Sequence, residues 1–167
     1  MCWSVVSSPE FEKAKCVALY RAMPGEVDTD EIFRTAREGG KITIYPRVEA
    51  GRRDLVFCEV GDLKDMKPGR WDILEPPAEA EIKDILEADL IIVPGVAFDR
   101  RGGRLGQGGG FYDRILKMRK PGSVAMGVAF EIQLVEEVPR EPHDELIDCL
   151  ATETGILRFK SNGGEHC

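Results

Sequence analysis

Short β-rich apolar runs alternate with amphipathic stretches along this chain, and that alternation predicts most of its elements. Lys15-Cys16-Val17-Ala18-Leu19-Tyr20 reads as a buried strand, closed by Pro24-Gly25. Asp28 and Glu31 have capping-box spacing and predict a helix that carries Ile32, Phe33 and Ala36 on one face and stops at Gly39-Gly40. Lys41 to Tyr45 and Asp54 to Val60 read as the second and third strands. Residues 61–78 are turn-rich and hold Trp71 between two proline-bearing segments. The spacing then predicts a short helix from Glu79 to Glu87, with Ile82, Ile85 and Leu86 turned inward, and a strand from Asp89 to Val93. A long loop over 94–110 leads into a helix from Phe111 to Met118 with Ile115 and Leu116 inside. Ser123 to Phe130 reads as another strand and Gly155 to Phe159 as the last. Residues 160–167 are polar and read as a frayed end.

Strands of nearly continuous apolar residues alternating with helices predict an α/β fold: a three-layer domain with a mainly parallel sheet flanked by helices. At 167 residues the chain has the length of one domain, expected to span residues 1–167. In such sheets ligands sit beyond the carboxyl ends of the strands, where loops enter helix N-termini, and the 94–110 loop occupies that place.

Charge narrows the function classes. Lysine and arginine number 23 against 30 aspartates and glutamates, a net charge of −7, opposite to the balance of a protein that coats nucleic acid or an anionic membrane. The aliphatic run Leu90-Ile91-Ile92-Val93 is far too short to span a bilayer, and the first fifteen residues hold no secretory apolar core. Cysteines at 2, 16, 58, 149 and 167 form no CxxC pair, and His143 and His166 add no zinc spacing. A reduced, cytoplasmic protein is expected, with no nucleic-acid or membrane partner and no indication of oligomeric state.

The chemistry concentrates in Asp99 to Asp113, DRRGGRLGQGGGFYD, where six of the 18 glycines fall within residues 102–110. Glycine lets backbone amides converge on an anion, and the helix that follows adds its positive end. Arg100, Arg101, Arg104 and Arg114 supply charge with phosphate-matching geometry, and Asp113 in the first helical turn is placed to hold a magnesium ion against phosphate oxygens. Neither common phosphate loop fits. The only Gly-Lys, Gly40-Lys41, precedes isoleucine, and after Gly106 and Gly108 the third dinucleotide position is Phe111.

The stretch PGVAFDRRGGRLGQGGGFYDR resembles the signature of the 5-formyltetrahydrofolate cyclo-ligases, also called methenyltetrahydrofolate synthetases. The resemblance runs from residue 9 to 157 and includes Gly25-Glu26-Val27-Asp28-Thr29, Tyr45-Pro46-Arg47, Trp71 to Pro76, His143-Asp144 and the Thr-Glu-Thr-Gly-Ile ending. It implies an ATP- and Mg2+-dependent enzyme. The formyl oxygen of 5-formyltetrahydrofolate attacks the terminal phosphate of ATP, the neighbouring nitrogen closes the ring, and phosphate leaves to give 5,10-methenyltetrahydrofolate. On this resemblance Arg104 and Tyr112 are catalytic. Arg104, Leu105, Gly106, Gln107, Gly108, Gly109, Gly110, Phe111 and Tyr112 bind ATP. Glu26, Trp71, Gln107, Gly108, Gly109, Gly110 and Phe111 bind the folate, and Asp113 and Asp144 bind the metal. Taken singly, each has a plainer reading: Glu26 as a turn residue, Asp144 as a solvated acid, Trp71 and Tyr112 as packing residues, His143 as structural.

The chain departs from the family pattern in two places. Some members carry arginine and lysine where this chain has Gln107 and Gly109, and a tyrosine in place of Phe111. Members also usually begin with a basic helix that contributes to ATP binding, whereas MCWSVVSSP holds no basic residue, so the domain is expected to lack that helix. A non-catalytic folate- or nucleotide-binding homologue therefore stands as an alternative, as does a relative acting on another substrate, with Gln107 and Arg21 reshaping the ligand side.

Overall fold

A computed structural model of the chain describes residues 2–51 and 55–159. It opens with helices α1 (Cys2–Val6) and α2 (Pro9–Lys13), then strand β1 (Cys16–Ala18), helix α3 (Asp30–Glu38), and strands β2 (Ile42–Val48) and β3 (Leu55–Glu59). A small hairpin of β4 (Lys67–Pro68) and β5 (Leu74–Glu75) precedes β6 (Ile82–Lys83) and β7 (Leu90–Val93). Strands β8 (Ala97–Asp99) and β9 (Arg104–Leu105) lead to helix α4 (Phe111–Met118) and β10 (Val124–Val128). The short β11 (Leu134–Val135) and the closing pair β12 (Cys149–Thr152) and β13 (Gly155–Arg158) complete the order.

The main sheet has eight strands in the order β13-β12-β10-β7-β1-β2-β3-β6. The five central strands run parallel, β13 at one edge and β3 near the other run against them, and the edge strand β6 pairs antiparallel with β3 and so runs with the central set. Period-two alternation makes this a three-layer domain, because successive residues of one strand enter different cores. Val17, Leu90, Ile92, Met126 and Val128 face Val5, Phe11, Ile32 and Phe33 of the first three helices. Cys16, Ala18, Ile91, Val93 and Ala125 face Ile115 and Leu116 of α4 on the other side. Each fully buried aliphatic side chain in these layers contributes about 1.5–3 kcal/mol.

The order places a topological switch at the β1–β7 pair. The chain leaves β1 toward β2 and β3, then returns to β7 on the opposite side of β1 before moving outward to β10 and β12. Loops leaving the carboxyl ends of β1 and β7 therefore diverge and open a crevice.

Several expected elements differ. The helix over Glu79 to Glu87 does not form. Ile82 instead pairs with Cys58 at the sheet edge and is 60% exposed, and Leu86 is also exposed, leaving Ile85 alone inside. Asp84 accepts a hydrogen bond from Leu86 N and Glu87 reaches back to Asp84 N, which limits the segment to one tight turn at Ile85–Glu87. Helix α3 starts at Asp30 rather than Asp28. Asp28 bonds the amide two residues on in a local turn, so the capping box with Glu31 is not made. The 94–110 segment is not one loop but a β8–β9 hairpin followed by a shorter glycine run, and β12 was not expected at all. Asp54, the expected start of the third strand, and the polar end at 160–167 lie outside the described residues.

Candidate functional site

A cleft of about 1030 Å3 opens over the carboxyl ends of the parallel strands. Tyr20 and Arg21 reach it from the end of β1, Pro46 and Val48 from β2, Pro94 and Gly95 from β7, and the run Arg104 to Asp113 from β9 through the first turn of α4. The segment after β11 adds Pro139, Arg140, Glu141, His143 and Asp144, and the β4–β5 hairpin adds Arg70, Trp71, Ile73, Leu74 and Glu75. The residues that the family resemblance assigns to binding or catalysis (Glu26, Trp71, Arg104 to Tyr112, Asp113 and Asp144) all line this one cleft.

The glycine run is shaped by left-handed backbone. Gly108 has φ +94° and Gly110 φ +65°, conformations that L side chains rarely adopt. Gly110 is the N-cap of α4, and having no side chain it leaves the helix's first turn, which lines the cleft, without a side-chain cap. Arg114 Nη1 donates to Gly109 O at 3.3 Å and bolsters the run from behind.

Arg104 is the buried cation of the cleft. Its Nη2 lies 3.3 Å from Asp113 Oδ2 and its Nη1 3.3 Å from Pro94 O, both long for charged donors. Its Nε is buried and finds no hydrogen-bond partner among the described residues. The guanidinium also lies 5.8 Å from the centre of the Tyr112 ring. Burial pushes the Tyr112 phenol well above its ordinary pKa, with Arg104 pulling weakly the other way, so the hydroxyl stays protonated and able to donate. Arg100 and Arg101, expected at the phosphate site, do not line the cleft. Both are exposed, and Arg101 pairs with Glu137 at 3.4 Å. The other cationic walls are Arg21, Arg70 and Arg140. The sequence reading gave no role to Arg70 or Arg140, because they stand outside the glycine motif and only the crossovers bring them in.

Glu26 serves both of its readings at once. Its Oε2 accepts from Met23 N at 2.9 Å, closing the turn, and the carboxyl faces the cleft. Burial raises its pKa, with the Met23 amide partly opposing. Nearby Tyr20 donates from its hydroxyl to Val27 O at 2.9 Å, which fixes the turn that carries Glu26.

Trp71 is not a core residue. It sits at the tip of the β4–β5 hairpin, 68% exposed, with the Arg70 guanidinium 4.4 Å from its ring. Trp71 and Asp72 have φ +57° and +59° in succession, a strained backbone of the kind that clusters at binding sites. His143 also lines the cleft, with its Nε2 3.3 Å from Glu141 and 3.6 Å from Asp144.

The two acids read as metal ligands are both within the cleft but already engaged. Asp113 accepts from Arg104 and from Glu145 N at 3.3 Å, and Asp144 accepts from Glu141 N at 2.7 Å. Among the described residues no group of three or more His, Cys, Asp or Glu side chains is gathered to hold an ion. Two carboxylates beside an anion loop fit a magnesium ion whose remaining ligands are phosphate oxygens and water, and do not fit a metal held by protein alone.

The sequence profile of the 5-formyltetrahydrofolate cyclo-ligase family matches residues 3–153. A mitochondrial 5-formyltetrahydrofolate cyclo-ligase from Arabidopsis thaliana is 33% identical over 92% of this chain, which spans 65% of that relative's length. A probable 5-formyltetrahydrofolate cyclo-ligase from Schizosaccharomyces pombe is 30% identical over 95% of this chain and 84% of its own. In structure, the 5,10-methenyltetrahydrofolate synthetase of Aquifex aeolicus superposes with a TM-score of 0.82 at 38% identity, covering 99% of this chain and 84% of that one. The chain belongs to the 5-formyltetrahydrofolate cyclo-ligase family.

Proposed function

We propose that this chain, as a member of that family, converts 5-formyltetrahydrofolate to 5,10-methenyltetrahydrofolate at the expense of ATP. One observation carries the reading: a single cleft unites a glycine-walled helix N-terminus, suited to phosphates, with a wall of Glu26 and Trp71, suited to a flat polar heterocycle. At about 1030 Å3 it lies at the upper end of the usual range for a small-molecule site, roughly 300–1,000 Å3.

In this reading the amides from Gly108 into the first turn of α4 receive the phosphates, and Arg104 turns its under-used donors toward the terminal one. Asp113 and Asp144 would hold magnesium, which would supply charge neutralisation at the phosphates. Glu26 and Trp71 orient the folate so that its formyl oxygen lies in line with the terminal phosphorus. That oxygen attacks, the bond to ADP breaks, and the formyl group becomes a phosphorylated imidate. The side-arm nitrogen then adds to the activated carbon, loses its proton and closes the ring as inorganic phosphate departs. Tyr112, protonated beside Arg104, donates a hydrogen bond where charge builds on the phosphoryl oxygens. Most of the acceleration comes from positioning and charge stabilisation rather than covalent catalysis by the protein.

Among the described residues no helix is long and apolar enough to cross a membrane. Cys2, Cys16, Cys58 and Cys149 are free thiols, which fits the reducing cytoplasm as the place of this activity. The test is direct. Chain, 5-formyltetrahydrofolate, ATP and magnesium are incubated together and the methenyl product is followed by its near-ultraviolet absorbance. Product is expected with the parent and lost in Asp113→Ala; absence of product from the folded parent would remove the assignment and leave ligand binding without turnover.

A further inference from the structure

The cleft is walled on one side by a strap, residues 138–147, that belongs to no helix or sheet and yet carries Arg140, His143 and Asp144 into the site. What holds that strap in place is a carboxylate outside the cleft. Asp99, at the end of β8, is fully buried, 0% exposed. Its Oδ1 accepts from Arg101 N and from Gly103 N, both at 2.9 Å, and so shapes the turn between β8 and β9. Its Oδ2 accepts from Val138 N at 3.1 Å, where the strap begins. The far end is pinned to the same turn: Ile147 N donates to Gly102 O at 3.0 Å. Between the two pins, Glu145 N donates to Asp113 Oδ1 at 3.3 Å.

We infer that Asp99 is a positioning residue for the proposed reaction: through one carboxylate it sets the strap bearing Asp144 against the β8–β9 hairpin bearing Arg104. This deepens the cyclo-ligase reading and rests on it for the assignment of Asp144 to the phosphate side. The chemistry of the side chain is what makes the residue specific. A carboxylate is acceptor-only on both oxygens and can serve three amides that point at it from two segments. Burial alone would oppose ionisation, but the Val138, Arg101 and Gly103 amides outweigh it and hold the carboxyl below its usual range. An amide of the same shape cannot do this. In Asp99→Asn the oxygen stays with the two turn amides, and the NH2 group meets Val138 N–H, donor against donor.

The experiment compares parent, Asp99→Asn and Asp99→Ser by hydrogen exchange resolved to peptides, with and without ATP and magnesium, alongside steady-state kinetics. Serine is short, keeps an acceptor for the turn and does not span to Val138. Both variants are expected to exchange faster over 138–145 while β7 and β10 keep their protection. The KM for ATP should rise about 10- to 100-fold, the range typical of losing a group that orients a ligand-binding residue, with the KM for the folate near the parent value. Unchanged exchange over 138–145 would overturn the inference. So would loss of protection throughout the sheet in both variants, or equal rises in both KM values, since either describes a residue that merely stabilises the fold. Should the parent make no methenyl product, the functional reading fails separately. The exchange arm then still decides whether the strap hangs on Asp99.

Discussion

Replacing Arg104 by lysine separates charge from geometry at the centre of the cleft. The arginine side chain is only 5% exposed, yet its two engaged nitrogens stand 3.3 Å from their partners. Its Nε is unsatisfied among the described residues. On the proposed function these loosely engaged donors are the ones that serve the terminal phosphate. Lysine keeps the positive charge facing Asp113 but loses the planar fork and its paired hydrogen bonds. Hydrogen bonds to charged groups contribute about 1.5–3 kcal/mol each. Losing one to the terminal phosphate should therefore raise the KM for ATP by about 10- to 100-fold, at roughly tenfold per 1.4 kcal/mol. Because the charge opposite Asp113 is preserved, the melting temperature without ligand should move by no more than a few degrees, the shift expected for about 1 kcal/mol. The assay titrates ATP at saturating folate and reads the methenyl absorbance, with thermal unfolding alongside. An unchanged KM for ATP in a folded Arg104→Lys protein would refute the argument that these donors are aimed at phosphate.

Three further outcomes are expected. In Glu26→Gln, activity falls and the pH dependence of stability changes in a defined sense. Because burial raises the Glu26 pKa, the folded state holds a proton that the unfolded chain has released, so the parent loses stability as pH rises through that window. Glutamine cannot ionise, so its advantage in urea midpoint grows from pH 4 upward and then levels off; parallel curves would contradict the placement of this carboxyl. In Gly109→Ala the new Cβ would meet the Phe111 ring at 2.7 Å, so the ring or the loop that carries it must shift within the cleft wall. ATP-dependent turnover should drop about tenfold or more with the circular dichroism spectrum intact. Trp71→Ala should leave stability within about 0.5 kcal/mol, as for other surface positions, because the indole is 68% exposed, while the KM for the folate rises. An unaltered folate KM would remove Trp71 from the ligand wall.

Helices α3 and α4 and strands β1, β2, β7 and β10 were legible in the sequence, where periodicity and packing agree, whereas the short helices α1 and α2 were not. Ile32, Phe33 and Ala36 are buried as their spacing implies, and Leu90 to Val93 is continuously apolar because both of its faces are covered by helices. Ile82, Ile85 and Leu86 misled, because a helical spacing of apolar residues carries no information about whether a sheet edge waits nearby to pair with Ile82. The β12 strand escaped notice because Cys149 to Thr152 is short and mixed in character; its strand state is imposed by pairing with β10 on one side and β13 on the other. The site followed the same division. Its local part, Arg104 to Asp113, is contiguous in sequence and could be read directly. Arg70 and Arg140 reach the cleft through a hairpin and a strap whose approach depends on long-range contacts. Asp99 opens the glycine stretch in sequence, but its partner Val138 lies 39 residues away, and no spacing rule joins them.

The uncapped start of α4 has a consequence for the life of the unliganded protein. Most helices carry their own finishing group at the N-terminus, a serine or an aspartate that is always present. Here Gly110 offers no such group, and on the proposed function the phosphates of the nucleotide take its place. On that function, binding of the nucleotide also stabilises the first turn of α4, so the helix end and the ligand share one set of amides. A permanent cap at position 110 would make a sturdier helix and a poorer receptor, since the same amides serve as local stabiliser or as ligand seat and cannot do both at once.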